Sequence, residues 1–246
     1  MSANMRLMVT SAASRRRFLA GGGGWLLAGG LARAATPHAG PTISPSDALK
    51  RLMAGNGRFT HGRSIHPDLG ADRRKSLVAS QHPFATILAC SDSRVAPELI
   101  FDQGLGDLFV IRVAGNVVDD TVLASIEYSV IHTGSPLVMV LGHARCGAVT
   151  ATVEALAGRG SAEDKDTKIG ALANLIAPAV RAVPPQTPEN LKLDTAIVLN
   201  AERAASAILA GSAPLRAHVQ SGALRVVSAR YELEDGSISH LRNAQA

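Results

Sequence analysis

The chain has 246 residues, 46% of them hydrophobic and 18% charged, enough to bury a full core and too apolar in balance for a disordered or fibrous chain. The formal charge of +5 rests on residues 1–34, which hold Arg6, Arg15, Arg16, Arg17 and Arg33 and no acid. The remaining chain carries 20 basic residues (25 minus these five) against 20 acidic ones, so basicity gives no argument for a nucleic-acid partner.

In chain order the first element is that basic segment. Ser14-Arg15-Arg16-Arg17-Phe18-Leu19 precedes a Gly-rich apolar run to Leu31, and Ala32-Arg33-Ala34 then makes a small-x-small site. The pattern resembles a twin-arginine export signal over 1–34, shorter than a bilayer span, and implies a periplasmic domain over 35–246 with no stable membrane insertion after processing. After a Pro/Gly-rich linker, Ser46-Asp47-Ala48-Leu49 opens a helix expected to end near Gly55 or Gly57, and a polar helix follows over about 70–79. Both have little apolar face for their length, so they are expected to cover a surface of the domain or of a neighbouring subunit.

The middle of the chain alternates. Short apolar runs at Phe84–Ala89, Leu108–Val113 and Leu137–Leu141 read as buried strands. Between the second and third lies a helix over Asp120–Ile131, with Asp119 or Asp120 as N-cap and Gly134 just past its end. Strand, helix and strand at this spacing make a βαβ unit and a parallel sheet. Further helices are expected from Gly147 to Gly158, over 169–183 up to Pro184-Pro185, and over 188–209. The last run, Leu224–Leu233, turns at Asp235-Gly236 into Ser237–Leu241 as a hairpin. The fold class is therefore α/β, a central mostly parallel sheet of four parallel strands plus an antiparallel C-terminal hairpin strand, flanked by helices.

Two segments carry the chemistry. Ala89-Cys90-Ser91-Asp92-Ser93-Arg94 closes the first strand, and Gly142-His143-Ala144-Arg145-Cys146-Gly147 closes the third. They contain both cysteines of the chain, an imidazole and a carboxylate, ligand types that hold Zn²⁺ in four-coordinate sites. A Cys90–Cys146 disulfide is the alternative in an oxidising compartment, but Asp92, Arg94 and His143 have no reason to gather round a disulfide. In open α/β sheets functional groups collect beyond the carboxyl ends of strands, so a central first strand beside the third brings all four groups together. Cys90, His143 and Cys146 are the strong ligands, and the fourth position goes to Asp92 or to water. Arg94 is placed to hold the Asp92 carboxylate by charge-assisted hydrogen bonds. His132, at the end of its helix, reads as a capping residue.

The stretches Cys90–Val95, Arg112–Asn116, Ser125–Val130, Gly142–Val149 and Leu224–Gly236 closely resemble segments of the β-class carbonic anhydrases, over nearly all of the chain after the signal. The resemblance implies one zinc per chain on Cys90, His143 and Cys146, an Asp92–Arg94 pair as catalytic residues, and reversible hydration of carbon dioxide to bicarbonate. It also implies a substrate-orienting Gln81, pocket residues Phe109 and Tyr128 with Tyr128 crossing a dimer interface, and a homodimer or tetramer. Ile87 and Ala89 resemble the subclass that lacks an allosteric bicarbonate pocket. Hydrolysis of COS or CS₂ on the same fold, or non-catalytic binding of zinc or bicarbonate, are the alternatives.

Overall fold

The computed structural model describes residues 43–160 and 167–244, so the signal expected over 1–34 lies outside the described residues. A five-stranded sheet in the order β2-β1-β3-β4-β5 forms the centre. Its strands are β1 (Ala85–Ala89), β2 (Leu108–Arg112), β3 (Leu137–His143), β4 (Arg225–Tyr231) and β5 (Ile238–Asn243). The first four run parallel and β5 returns antiparallel along β4. β1 and β3 are adjacent, with Ala89 opposite Leu141. This is the juxtaposition on which a shared site between the two motifs depends.

Alternation along β3 shows how the sheet makes two cores. Leu137, Met139 and Leu141 face one side, where they meet Leu52, Phe84, Ile87 and Phe101. Val138 and Val140 face the other, against Ile126 and Val130 of α4 (Asp120–Thr133) and Ala201, Ala205 and Ile208 of α7 (Glu189–Gly211). Every one of these residues is buried, so a single-residue slip would exchange both faces at once. α4 begins on Asp119, whose side chain accepts the Val122 N–H, and ends on Gly134 in the left-handed conformation.

Helix α1 (Pro45–Thr60) differs from expectation in two ways. It starts one residue earlier, at Pro45, capped by Ser44, whose hydroxyl accepts the Asp47 N–H, and it runs straight through Gly55 and Gly57. Gly55 is there for close packing: a Cβ on it would lie 1.7 Å from the Phe101 carbonyl oxygen, at the end of α3 (Pro97–Ile100). The expectation that the N-terminal helices cover a surface of the domain is met by α1. It lays Ala48, Leu49 and Leu52 on the core of its own chain, whereas α2 (Ala71–Ser76) has no buried residue. The side chains that fix α2 are polar. Arg73 donates to the Leu105 carbonyl at 2.9 Å and approaches the buried Asp107 at 3.5 Å.

The later helices are α5 (Gly147–Leu156), α6 (Ile169–Arg181) and α8 (Ala213–Gln220). α3, α8 and a short 3₁₀ turn over Ala114–Asn116 were not foreseen. β3 also runs two residues beyond its apolar run, so His143 is the last residue of the strand and not a residue of the loop after it. Its backbone pairs with Tyr231 on β4, which extends the ladder past Gly142.

Candidate metal centre

Cys90 leaves the end of β1, His143 closes β3 and Cys146 is the N-cap of α5. Their ligand atoms all lie within 4.8 Å of one another, and all three residues are buried, at 4%, 0% and 1% exposure. Nδ1 of His143 lies 3.0 Å from the Ala144 carbonyl oxygen, an acceptor only, so that nitrogen carries the proton. Nε2 is then a bare lone pair, and it is buried without a hydrogen-bond partner. An orphaned imidazole nitrogen beside two sulfurs, with its other nitrogen donating to a carbonyl, is the arrangement that a four-coordinate soft metal requires.

The electrostatics of the sulfurs point the same way. The neighbouring Cys146 sulfur holds Cys90 well below the ordinary thiol range, helped by the Gly115 N–H, which lies 3.3 Å from the Cys90 sulfur. The Cys90 sulfur in turn pushes Cys146 up, with burial adding to it and the amides of Val149 and Ala148 opposing. Two sulfurs this close compete for one negative charge, and a cation between them removes the conflict by accepting both thiolates. No disulfide joins them; both cysteines are free thiols.

Asp92 stands beside this group. Arg94 grips its carboxylate in a fork, Nε to Oδ1 at 2.9 Å and a terminal nitrogen to Oδ2 at 2.7 Å, while the Arg94 N–H donates to Oδ1 at 2.9 Å. Those contacts hold the Asp92 carboxyl well below the usual carboxylate range, with the Arg94 side chain as the largest cause. Oδ2 is 3.9 Å from His143 Nε2, so the carboxylate faces the ligand atoms while bound to arginine. The loop that carries Cys90 and Asp92 is tied from outside. Arg112 Nε donates to the Cys90 carbonyl at 3.1 Å and its terminal nitrogen to the Asp92 carbonyl at 2.6 Å. The role of Arg112 was missed, although an arginine closing the apolar run Leu108–Ile111 is a visible signal of a group held at a strand end.

Gln81, Phe109 and Tyr128 gather elsewhere. The Phe109 and Tyr128 rings are 6.2 Å apart, and Tyr128 stacks on His132 one helical turn later at 5.1 Å. Gln81, Tyr128 and His132 line one groove, and none of Cys90, His143 and Cys146 lines it. His132, read as a cap, is thus part of an aromatic wall. In the sheet register Phe109 sits opposite Thr86, three positions short of the Arg112–Ala89 pair at the strand ends, which is roughly 10 Å of strand.

The family model described as "Carbonic anhydrase" matches residues 85–238. Carbonic anhydrase 2 of Mycobacterium tuberculosis is 39% identical over 197 residues, 80% of this chain and 92% of that one. The carbonic anhydrase of Mycolicibacterium smegmatis is 53% identical over 116 residues, 47% of this chain and 56% of that protein's length. In fold, the chain resembles a structure from Sordaria macrospora described among tetrameric β-carbonic anhydrases. The TM-score there is 0.60 at 19% identity, over 81% of this chain and 98% of that one.

Proposed function

This chain belongs to the carbonic anhydrase family, in its β class, and from that premise we propose that Cys90, His143 and Cys146 hold one zinc ion. The enzyme catalyses the reversible hydration of carbon dioxide to bicarbonate and a proton. The observation that carries the zinc reading is the buried two-sulfur, one-nitrogen group with an ionised Asp92 alongside. Zinc, when bound, lowers the pKa of coordinated water toward neutrality.

The residues divide the remaining work. Asp92 Oδ2, ionised and locked by Arg94, accepts a hydrogen bond from the reacting water and turns its lone pair toward the carbon. Arg94 holds that carboxylate to itself, so that Cys90, His143 and Cys146 alone would hold the metal. Gln81 donates from its carboxamide to a carbon dioxide oxygen, and Phe109 and Tyr128 form the apolar wall that shields the small substrate from bulk water. On a single chain this wall lies apart from the ligands, which supports a homodimer in which the groove of one copy faces the metal group of the other. Ile87 and Ala89, both fully buried in β1, support the subclass without a bicarbonate effector site.

Residues 1–34 are read as a twin-arginine signal and the working compartment as the periplasm, supported by five arginines without an acid and by Ala32-Arg33-Ala34. Among the described residues no helix is long and apolar enough to cross a membrane. Trp25, the one tryptophan, lies in the signal, so a processed protein emits tyrosine fluorescence alone.

Stopped-flow carbon dioxide hydration on zinc-loaded protein, run beside COS, tests the function. Carbon dioxide turnover that rises with zinc content is expected. Hydrolysis of COS in its place, or zinc binding without turnover, would overturn it.

A further inference from the structure

Asn200 is the polar interruption of an apolar stripe. On α7 the buried positions run Ala196, Ile197, Asn200, Ala201, Ala204, Ala205 and Ile208, and Asn200 is 4% exposed among them. A buried carboxamide on a packing face is costly unless it is partnered. Its Nδ2 donates to the Gly115 carbonyl at 2.7 Å, across 85 positions of sequence.

Gly115 is no ordinary partner. It sits in the short 3₁₀ turn at φ +72°, and a Cβ there would come 2.7 Å from Ile176 Cδ1 and 3.2 Å from Ala148 Cβ. Across the turn the Asn116 N–H donates to the Val113 carbonyl at 2.9 Å. The Gly115 N–H points at Cys90 Sγ, 3.3 Å away. Asn200 grips the carbonyl of the very residue whose N–H meets the sulfur.

We propose that Asn200 is a positioning residue for Cys90: it holds Gly115 so that the Gly115 N–H donates to the Cys90 sulfur, and thereby sets how firmly that sulfur holds its metal. This rests on the reading of Cys90 as a metal ligand. The bond stabilises charge on the thiolate and pre-orients it, as outer partners of metal ligands do.

Cobalt(II) in place of zinc gives the test, in wild type and in Asn200→Leu, which keeps approximate size and removes the donor. Wild type should show a sulfur-to-cobalt charge-transfer band. Asn200→Leu should still take one cobalt per chain, move that band to longer wavelength, and lose metal to a chelator about 10-fold to 100-fold faster. A band at the wild-type position with wild-type metal loss, whatever the change in melting temperature, would mean that Asn200 only packs, and overturns the inference. For the case in which Asn200→Leu does not fold, cadmium-113 in the wild-type protein decides: scalar coupling from the metal through Sγ to the Gly115 amide proton is expected, and its absence overturns the inference. Failure of the ligand reading looks different, because wild-type protein would then show no sulfur-to-cobalt band at all.

Discussion

The metal group and the aromatic groove are built by opposite means. Cys90, His143 and Cys146 are nearly inaccessible and come from the ends of two adjacent strands and the start of α5, braced by Arg112, Gly115 and the Asp92–Arg94 fork. Gln81 and Tyr128 line a surface groove, with Tyr128 49% exposed, and the segment bearing Gln81 follows a helix with no buried residue. On the proposed reading, one region is complete within a chain and the other is a half-wall. A site made this way separates affinity for metal from handling of substrate, and the two should fail independently.

Mutation of the inner region should do the most damage. Cys146→Ser removes a thiolate at the start of α5 and should leave less than about a tenth of an equivalent of zinc per chain, with a lowered melting temperature, because metal binding free energy is folding free energy. Metal analysis and thermal melts of the same sample check this. Arg94→Ala should keep the zinc yet lose about 10²-fold in kcat/KM, since the carboxylate it orients acts on a proton and not as a strong ligand. Equal zinc loss in both variants would erase the proposed boundary between binding and turnover.

The groove should respond more mildly. Gln81→Ala removes one neutral hydrogen bond, worth about 1 kcal/mol, so kcat/KM should fall by roughly 5-fold with zinc content unchanged. If the groove serves a second copy, a mixture of inactive Gln81→Ala/Cys146→Ser protein with wild type should form heterodimers carrying one wild-type metal group opposite a defective groove. Their activity per zinc should match that of Gln81→Ala and not that of wild type. Full wild-type activity per zinc would place Gln81 on its own chain's site.

A region that belongs to neither gives the smallest functional effect and a measurable stability effect. Asp102 has no exposed side-chain surface. Burial alone would raise its carboxyl, but Arg58 at 2.6 Å and the N–H groups of Ile65 and His66 outweigh burial and hold it low. A lowered folded-state value means that the carboxylate stabilises the fold above the ordinary aspartate range and stops doing so as pH falls through the lowered value. Asp102→Asn should therefore cost about 3 kcal/mol near neutrality, a gap that is flat down to about pH 5 and closes below about pH 4. Denaturant titrations at several pH values check it, and kcat per zinc should stay unchanged.

Much of this was legible in the chain. Strand runs and the α4 caps are local signals, and Asp119 and Gly134 mark that helix as the capping rules predict. The spacing of the two motifs, with the topology of a βαβ unit, was enough to bring Cys90, His143 and Cys146 together. What escaped was set by tertiary contact. Gly55 reads as a helix stop until the Phe101 carbonyl is found against it. Asn200 reads as one polar residue in an amphipathic helix until the Gly115 carbonyl gives it a purpose. The groove of Gln81 and Tyr128 came from resemblance, because neither residue has a spacing that announces its partner.

The adjacency of β1 and β3 also bears on how the protein folds. Cys90 and His143 lie about fifty residues apart, with β2 and the whole of α4 between them, and the sheet order puts them side by side only once that crossover has closed. A refolding chain cannot assemble the Cys90, His143 and Cys146 group before this long-range pairing. On the proposed zinc reading, capture of metal is a clock for the slow, non-local step, and the ion a latch that the chain closes behind itself.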